Sequence, residues 1–174
     1  MVISLQEVIQ GDAVESIAES ISRFSCKDGD VEAFLKQKAF DFERRDKSRT
    51  FLIFDDDKLL GYFTLSLKSL PFKESVSKSV IKEIDGFSKN VQAVGIVIIG
   101  QLGKDSVLAK DVDGRVLLDI CMETVYKAKK IVGGRFVMLE CQNIKKVVAF
   151  YEKNGFGILQ SDEKDHYLQM IRKL

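Results

Sequence analysis

The groups best suited to chemistry lie between Gln101 and Arg115. Gln101-Leu102-Gly103-Lys104-Asp105 continues an apolar run that begins at Val94, and Ser106 to Gly114 leads into helical spacing from Arg115. A helix opening at Gly114 has backbone N–H groups without intrahelical partners at the positive end of its dipole, an arrangement that binds phosphate. Gly114 has no Cβ and lets an anion approach the backbone closely. Lys104, Lys110 and Arg115 add positive charge, whereas Asp111 and Asp113 oppose it. A carboxylate about 4 Å from a phosphate charge costs on the order of 4 kcal/mol at an effective dielectric of about 20, before the neighbouring cations and solvent reduce it. The competing role for Asp113 is a helix cap that satisfies the same N–H groups internally.

Other reactive side chains are sparse. Cys26, Cys121 and Cys141 are scattered without CxxC spacing, which points to reduced, buried thiols and to no metal site. His166, the one histidine, falls in a late strand and reads as structural. Asp55-Asp56-Asp57 reads as a solvated hairpin turn rather than a cation site. Lys145 and Lys146 occupy the first turn of a helix, where the dipole disfavours them. They read as a solvated face, with a phosphate contact as the alternative.

The elements that must position these groups follow from periodicity. Val2 to Val8 predicts a strand. Asp12 to Phe24 predicts a helix, and a second runs from Val31 to Arg44 with Asp30 as its cap. Thr50 to Phe54 and Leu59 to Leu67 predict a hairpin across Asp55 to Lys58. One surface helix is expected between Phe72 and Asn90. Val94 to Gly103 reads as a central strand, Gly114 to Lys130 as a helix stopped by Gly133-Gly134, and Phe136 to Cys141 as a strand. A helix from Asn143 to Lys153 follows, ended by Gly155. Phe156 to Gln160 and His166 to Arg172 close the chain as a hairpin. The alternation in the second half implies an α/β fold, with helices on both faces of a mixed sheet.

The 174 residues suit one domain spanning 1–174, and 27 Lys+Arg against 26 Asp+Glu give a net charge of +1. That balance supplies no global attraction to nucleic acid or anionic membrane. The start has no secretory pattern, and the apolar run from Val94 to Gly100 is too short to span a bilayer. Together these point to a cytoplasmic protein with no membrane partner.

The segment Asn143-Ile144-Lys145-Lys146-Val147-Val148-Ala149-Phe150-Tyr151-Glu152-Lys153-Asn154-Gly155-Phe156 places an asparagine after a strand and ends a helix in Phe-Tyr-Glu-Lys-x-Gly-Phe. With Ile99 to Asp105, the nine residues Ser106 to Gly114 and the following Arg115-Val116-Leu117-Leu118, it resembles the acyl-CoA-binding core of the GNAT N-acetyltransferases. Phe24-x-Cys26, Phe34-Leu35-Lys36 and Gly61-Tyr62-Phe63-Thr64-Leu65 resemble a bacterial and mobile-element subgroup that includes toxins acting on aminoacyl-tRNA. The family loop usually reads Gln/Arg-x-x-Gly-x-Gly/Ala. Here those positions are Ala109, Val112 and Gly114, and only the last matches.

The resemblance implies a GNAT-like fold with a mostly antiparallel sheet of about six or seven strands. It implies acetyl-CoA as cofactor and transfer of its acetyl group to a primary amine by direct attack in a ternary complex. The backbone of Leu102 and Lys104 would pair with the pantetheine arm, and an N–H near Gly100 or Gln101 would face the acetyl oxygen. Lys110, Val112, Asp113, Gly114 and Arg115 would surround the pyrophosphate. Tyr151 would protonate the leaving thiolate, its alternative being a helix-end tyrosine packed on the sheet. Asn143 would contact the cofactor arm or cap its helix. Glu140 and Asp105 lie near the right elements for a base, and neither stands out.

The acceptor is open among a small molecule, a protein amine and a charged tRNA, for which Lys73, Lys78, Lys82 and Lys89 offer a basic face. A homodimer is equally open. The rival reading is a non-catalytic GNAT-like module that senses acyl-CoA or binds a protein.

Overall fold

The structure, a computed structural model, describes residues 1–162, 164 and 166–174. In chain order its elements are β1 (Val2–Ser4), α1 (Leu5–Gln10), α2 (Val14–Arg23), α3 (Gly29–Gln37), α4 (Ala39–Arg44), β2 (Arg49–Asp55), β3 (Lys58–Pro71), α5 (Lys78–Asp85), β4 (Ala93–Lys104), α6 (Gly114–Val132), β5 (Phe136–Gln142), α7 (Lys145–Lys153), β6 (Gly157–Ser161) and β7 (Tyr167–Lys173). The strands form one seven-stranded sheet in the order β1-β2-β3-β4-β5-β7-β6. β4 and β5 are parallel through Val97↔Val137, Ile98↔Met138 and Ile99↔Leu139. A parallel pair needs a long crossover, and α6 supplies it. The pairs β1–β2, β2–β3, β5–β7 and β6–β7 are antiparallel. The sheet is therefore mixed and mostly antiparallel, as expected.

The chain divides into two compact units, residues 1–66 with 100–123 and residues 67–99 with 124–174. In the first, α1 to α4 and the β2–β3 hairpin close over Leu5, Ile21, Phe24, Leu35, Leu52 and Tyr62, all buried. In the second, Leu70 and Ile84 pack with Ile96 and Ile98 of β4 and with Phe136 and Met138 of β5. Alternate residues of those two strands share a face, so the spacing by two that marked them as strands also builds this core.

Several boundaries differ from expectation. β1 pairs with β2 for three residues only. The Glu7 carboxylate then accepts from the Ser4 N–H at 3.3 Å, and the chain turns helical with Leu5 and Val8 buried three residues apart. The expected helix from Val31 to Arg44 is two helices, divided at Lys38 with φ −121° and ψ −25°. Its cap is Asp28 rather than Asp30, because the Asp28 carboxylate reaches the N–H groups of Asp30 and Val31. Between Phe72 and Asn90 only Lys78–Asp85 is helical, started by Ser77 and ended by Gly86 at φ 90°. β3 runs on to Pro71, four residues past the expected Leu67.

The β2–β3 turn falls on Asp56-Asp57, with Asp56 at φ 48°. The helix stop at Gly133 and Gly134 is as expected, with φ 79° and 116°. Among the described residues, no helix is long and apolar enough to cross a membrane.

Candidate functional site

In the first unit, β4 ends as Gly100-Gln101-Leu102-Gly103-Lys104. Gly103 is required by packing. A Cβ there would lie 2.7 Å from Val31 and 2.8 Å from the ring of Tyr62. Tyr62 is fully buried, its hydroxyl donates to the Val31 carbonyl, and burial pushes its phenol well above the ordinary value. Gly100 lies as close to Thr64, whose hydroxyl would be 2.9 Å from a Cβ.

Asp105 anchors the loop that follows. Its buried carboxylate accepts from Ser25 N–H at 2.9 Å and from Val107 and Leu108 N–H at 2.8 and 2.7 Å. Ala109, where the resembled loop carries a long polar side chain, is fully buried. The Lys104 ammonium closes the loop from inside by donating to the carbonyls of Val112 at 2.6 Å and Lys110 at 3.4 Å. The Asp113 carboxylate accepts from Arg115 N–H at 2.9 Å, and its carbonyl accepts from Val116 N–H at 3.0 Å. The capping role weighed for Asp113 is thus present. Lys110 and Val112 spend their own N–H groups on Val107 and Ala109 carbonyls. Arg115 pairs with Asp119 one turn along α6 at 3.5 Å.

In the second unit, β5 delivers Asn143 at its end. The residue at the cap position of α7 is Ile144, and Asn143 stands exposed one residue earlier, its N–H donating to the His166 carbonyl. Lys145 and Lys146 are exposed in the first turn of α7. Tyr151, half-buried at the far end of α7, meets Phe150 and Phe156 edge-on at 5.1 and 5.8 Å. Phe156 returns to that ring because Gly155 adopts φ 83° and the Phe156 N–H donates to the Tyr151 carbonyl. The Gly-Phe pair that ends the motif therefore positions the tyrosine.

Both base candidates have hydrogen-bond partners, Asp105 through both carboxylate oxygens and Glu140 through Oε1. Asp105 is fully engaged in the loop anchor, and Glu140 is paired with Lys68 at 2.7 Å. His166 is exposed just before β7 rather than within a strand, and it acts through its backbone. All three cysteines are free thiols. Burial pushes Cys121 and Cys141 up, although Cys26 is only half-buried. Among the described residues no group of His, Cys, Asp or Glu is arranged to hold a metal.

Solved structures with this architecture include a complex of AtaT with acetyl-methionyl-tRNAfMet, at TM-score 0.71 and 22% identity over 97% of this chain and 92% of that one. A tyrosine-to-phenylalanine mutant of KacT matches at TM-score 0.70 and 25% identity, again over 97% and 92%. A tyrosine-to-phenylalanine mutant of the AtaT toxin, bound to acetyl-CoA and the C-terminus of the antitoxin AtaR, matches at TM-score 0.62 and 22% identity over 86% and 83%. The chain has the fold of these toxins. No protein-family model matches the sequence, and no curated protein matches it. The GNAT-like fold and the toxin-containing subgroup expected from the motifs agree with these neighbours.

Two features of the loop escaped the sequence reading. The Asp105 carboxylate anchors the loop at its start, and the Lys104 ammonium braces it through the Val112 carbonyl. The signal for Asp105 was available. An aspartate two and three residues ahead of Val107 and Leu108, at a strand end, is the pattern of a side chain capping a turn.

Proposed function

We propose that this chain is a cytoplasmic N-acetyltransferase, one acyltransferase domain over residues 1–174, that moves the acetyl group of acetyl-CoA to the amino group of a charged tRNA. One observation carries the reading. The parallel β4–β5 ladder ends at Ile99↔Leu139, while β4 continues to Lys104 and enters α6 through a braced loop. A strand continuing past its ladder suits an extended ligand arm that adds to the backbone of Leu102 and Lys104. The acceptor class rests on AtaT having been solved with acetyl-methionyl-tRNAfMet.

The fit to the cofactor's pyrophosphate is partial. Gly114 opens α6 as expected, but Asp113 occupies the Arg115 N–H, and the carbonyls of Lys110 and Val112 face Lys104. Anion binding here would use the remaining donors of the turn, with Lys110 and Arg115 as cations.

Acetyl-CoA supplies an activated thioester carbonyl. The acceptor ammonium first gives a proton to solvent, and the neutral amine attacks. The carbon–nitrogen bond forms, the carbon–sulfur bond breaks, and a second nitrogen proton leaves to solvent. An N–H near Gly100 or Gln101 stabilises the developing oxyanion. The Tyr151 hydroxyl gives its proton to the leaving thiolate and regains one from water. Asn143, exposed just after β5, would contact the cofactor arm.

The test uses acetyl-CoA labelled in its acetyl group and a panel of aminoacylated tRNAs. Alkaline deacylation should release labelled N-acetyl amino acid. Tight acetyl-CoA binding without label transfer to any amine would favour the rival acyl-CoA-sensing module, for which the buried Ala109 and the capped α6 speak.

A further inference from the structure

A cavity of about 460 Å³ opens within the second unit, a size typical of small-molecule sites. Its floor is a hydrogen-bonded relay. The Gln160 carboxamide, 7% exposed, accepts from Lys73 N–H at 3.0 Å and donates to the Pro71 carbonyl at 2.8 Å and to Gln169 Oε1 at 2.7 Å. Gln169 Nε2 in turn donates to Glu140 Oε1 at 2.7 Å, the same oxygen that accepts from Lys68. The relay thus fixes Glu140 through Oε1, and Oε2 bonds none of the described residues. The walls are aromatic: Phe72 is half-buried, and Tyr167 is 45% exposed. Lys73 stands exposed at the rim.

We infer that this cavity binds the aminoacyl-adenosine end of the acceptor, an inference that rests on the acetyltransferase reading above. Each part of that ligand meets a complementary group. A free α-ammonium pairs with an oriented carboxylate, Glu140. A flat purine stacks on an exposed aromatic ring, Tyr167, as unpaired bases do on protein aromatics. A phosphodiester meets the rim cation, Lys73. Asp162, the other carboxylate among the described residues at the cavity, is spent on the N–H groups of His166 and Tyr167, and the backbone donors about it hold its carboxyl below the usual range. It is thereby engaged by the backbone beside Tyr167, which leaves Glu140, among the described residues, as the carboxylate for the amine. Glu140 also follows Leu139, which pairs with Ile99 at the last step of the β4–β5 ladder.

The probe is a non-hydrolysable 3′-aminoacylamino-adenosine, titrated calorimetrically into the full chain beside adenosine alone and an amino-acid amide alone. The expected result is tighter binding of the whole analogue than of either half. Tyr167→Ala should weaken the analogue and adenosine about tenfold or more, and Glu140→Gln should weaken the analogue and the amide but not adenosine. An analogue that binds both variants as it binds the wild type overturns the inference, as does binding of the amide alone with no gain from the adenosine. Acetyl-CoA is titrated in parallel. Loss of the analogue's binding with acetyl-CoA binding intact sinks only this site, whereas absence of both sinks the acetyltransferase reading itself.

Discussion

The Asp113 carboxylate accepts a hydrogen bond from the backbone N–H of Arg115 at 2.9 Å, at the first turn of α6. The same residue thus caps the helix and sets a negative charge where an anionic pyrophosphate is proposed to bind. Asparagine caps as well as aspartate but carries no charge. Asp113→Asn should therefore keep the fold and tighten CoA several-fold, the modest size reflecting an exposed position with screening by solvent. Calorimetric titration of both proteins checks this. Equal or weaker affinity in the variant would place the pyrophosphate elsewhere.

Tyr151 is held edge-on between Phe150 and Phe156, and phenylalanine preserves those contacts while removing the hydroxyl. Tyr151→Phe should lower kcat by about 100-fold or more, the usual contribution of a general acid, with acetyl-CoA affinity unchanged. A variant that turns over at the wild-type rate would reduce Tyr151 to a packing residue.

Asp105 holds three N–H groups from two segments, Ser25 on one side and Val107 and Leu108 on the other. Asp105→Ala leaves all three without that acceptor. A net charged hydrogen bond is worth about 1.5–3 kcal/mol, and water replaces part of the loss, so destabilisation of roughly 3 kcal/mol is expected with a weaker cofactor interaction. Asp105→Asn, which keeps an acceptor oxygen, should lie between. Urea denaturation of the three proteins gives the order directly, and an unaffected Asp105→Ala variant would mean that the anchor is dispensable.

The helices and strands of the second half were readable because each has a clean period and a chemical stop, such as Gly133-Gly134 after α6 or Gly155 after α7. The first half was harder for physical reasons. Val2 to Val8 is apolar enough for a strand, and the chain turns helical at Leu5, where Glu7 accepts from the Ser4 N–H and Leu5 and Val8 enter the core. The break at Lys38 leaves no mark in composition: Lys38 ends α3 with its N–H on the Phe34 carbonyl and starts α4 with its carbonyl on the Phe42 N–H. At the site, the residue types were legible and their engagements were not. That Lys104 would turn inward to the loop carbonyls, or that Glu140 would be held by Lys68 and Gln169, depends on residues distant in sequence.

Glu43 tests the first unit's interior through pH. Its side chain is 1% exposed, pairs with Arg49 at 3.1 Å and accepts from Thr50 N–H at 2.7 Å. Burial raises its carboxyl above the ordinary glutamate value, and the Thr50 and Arg49 contacts only partly oppose that rise. A carboxyl raised in the folded state binds its proton more tightly there than in the unfolded chain. Its contribution is therefore fully present below the unfolded value and is lost as pH rises through the folded one. Other carboxylates run the opposite way: Glu32 and Glu83 are lowered, chiefly by hydrogen bonds from Lys36 and Lys173. The informative quantity is thus the stability of the wild type minus that of Glu43→Gln. This difference should fall as pH climbs from about 4 to about 7. Thermal or urea unfolding of both proteins across that range measures it. Parallel curves, or a difference that grows with pH, would mean that the Arg49 pair outweighs burial and that Glu43 is lowered instead.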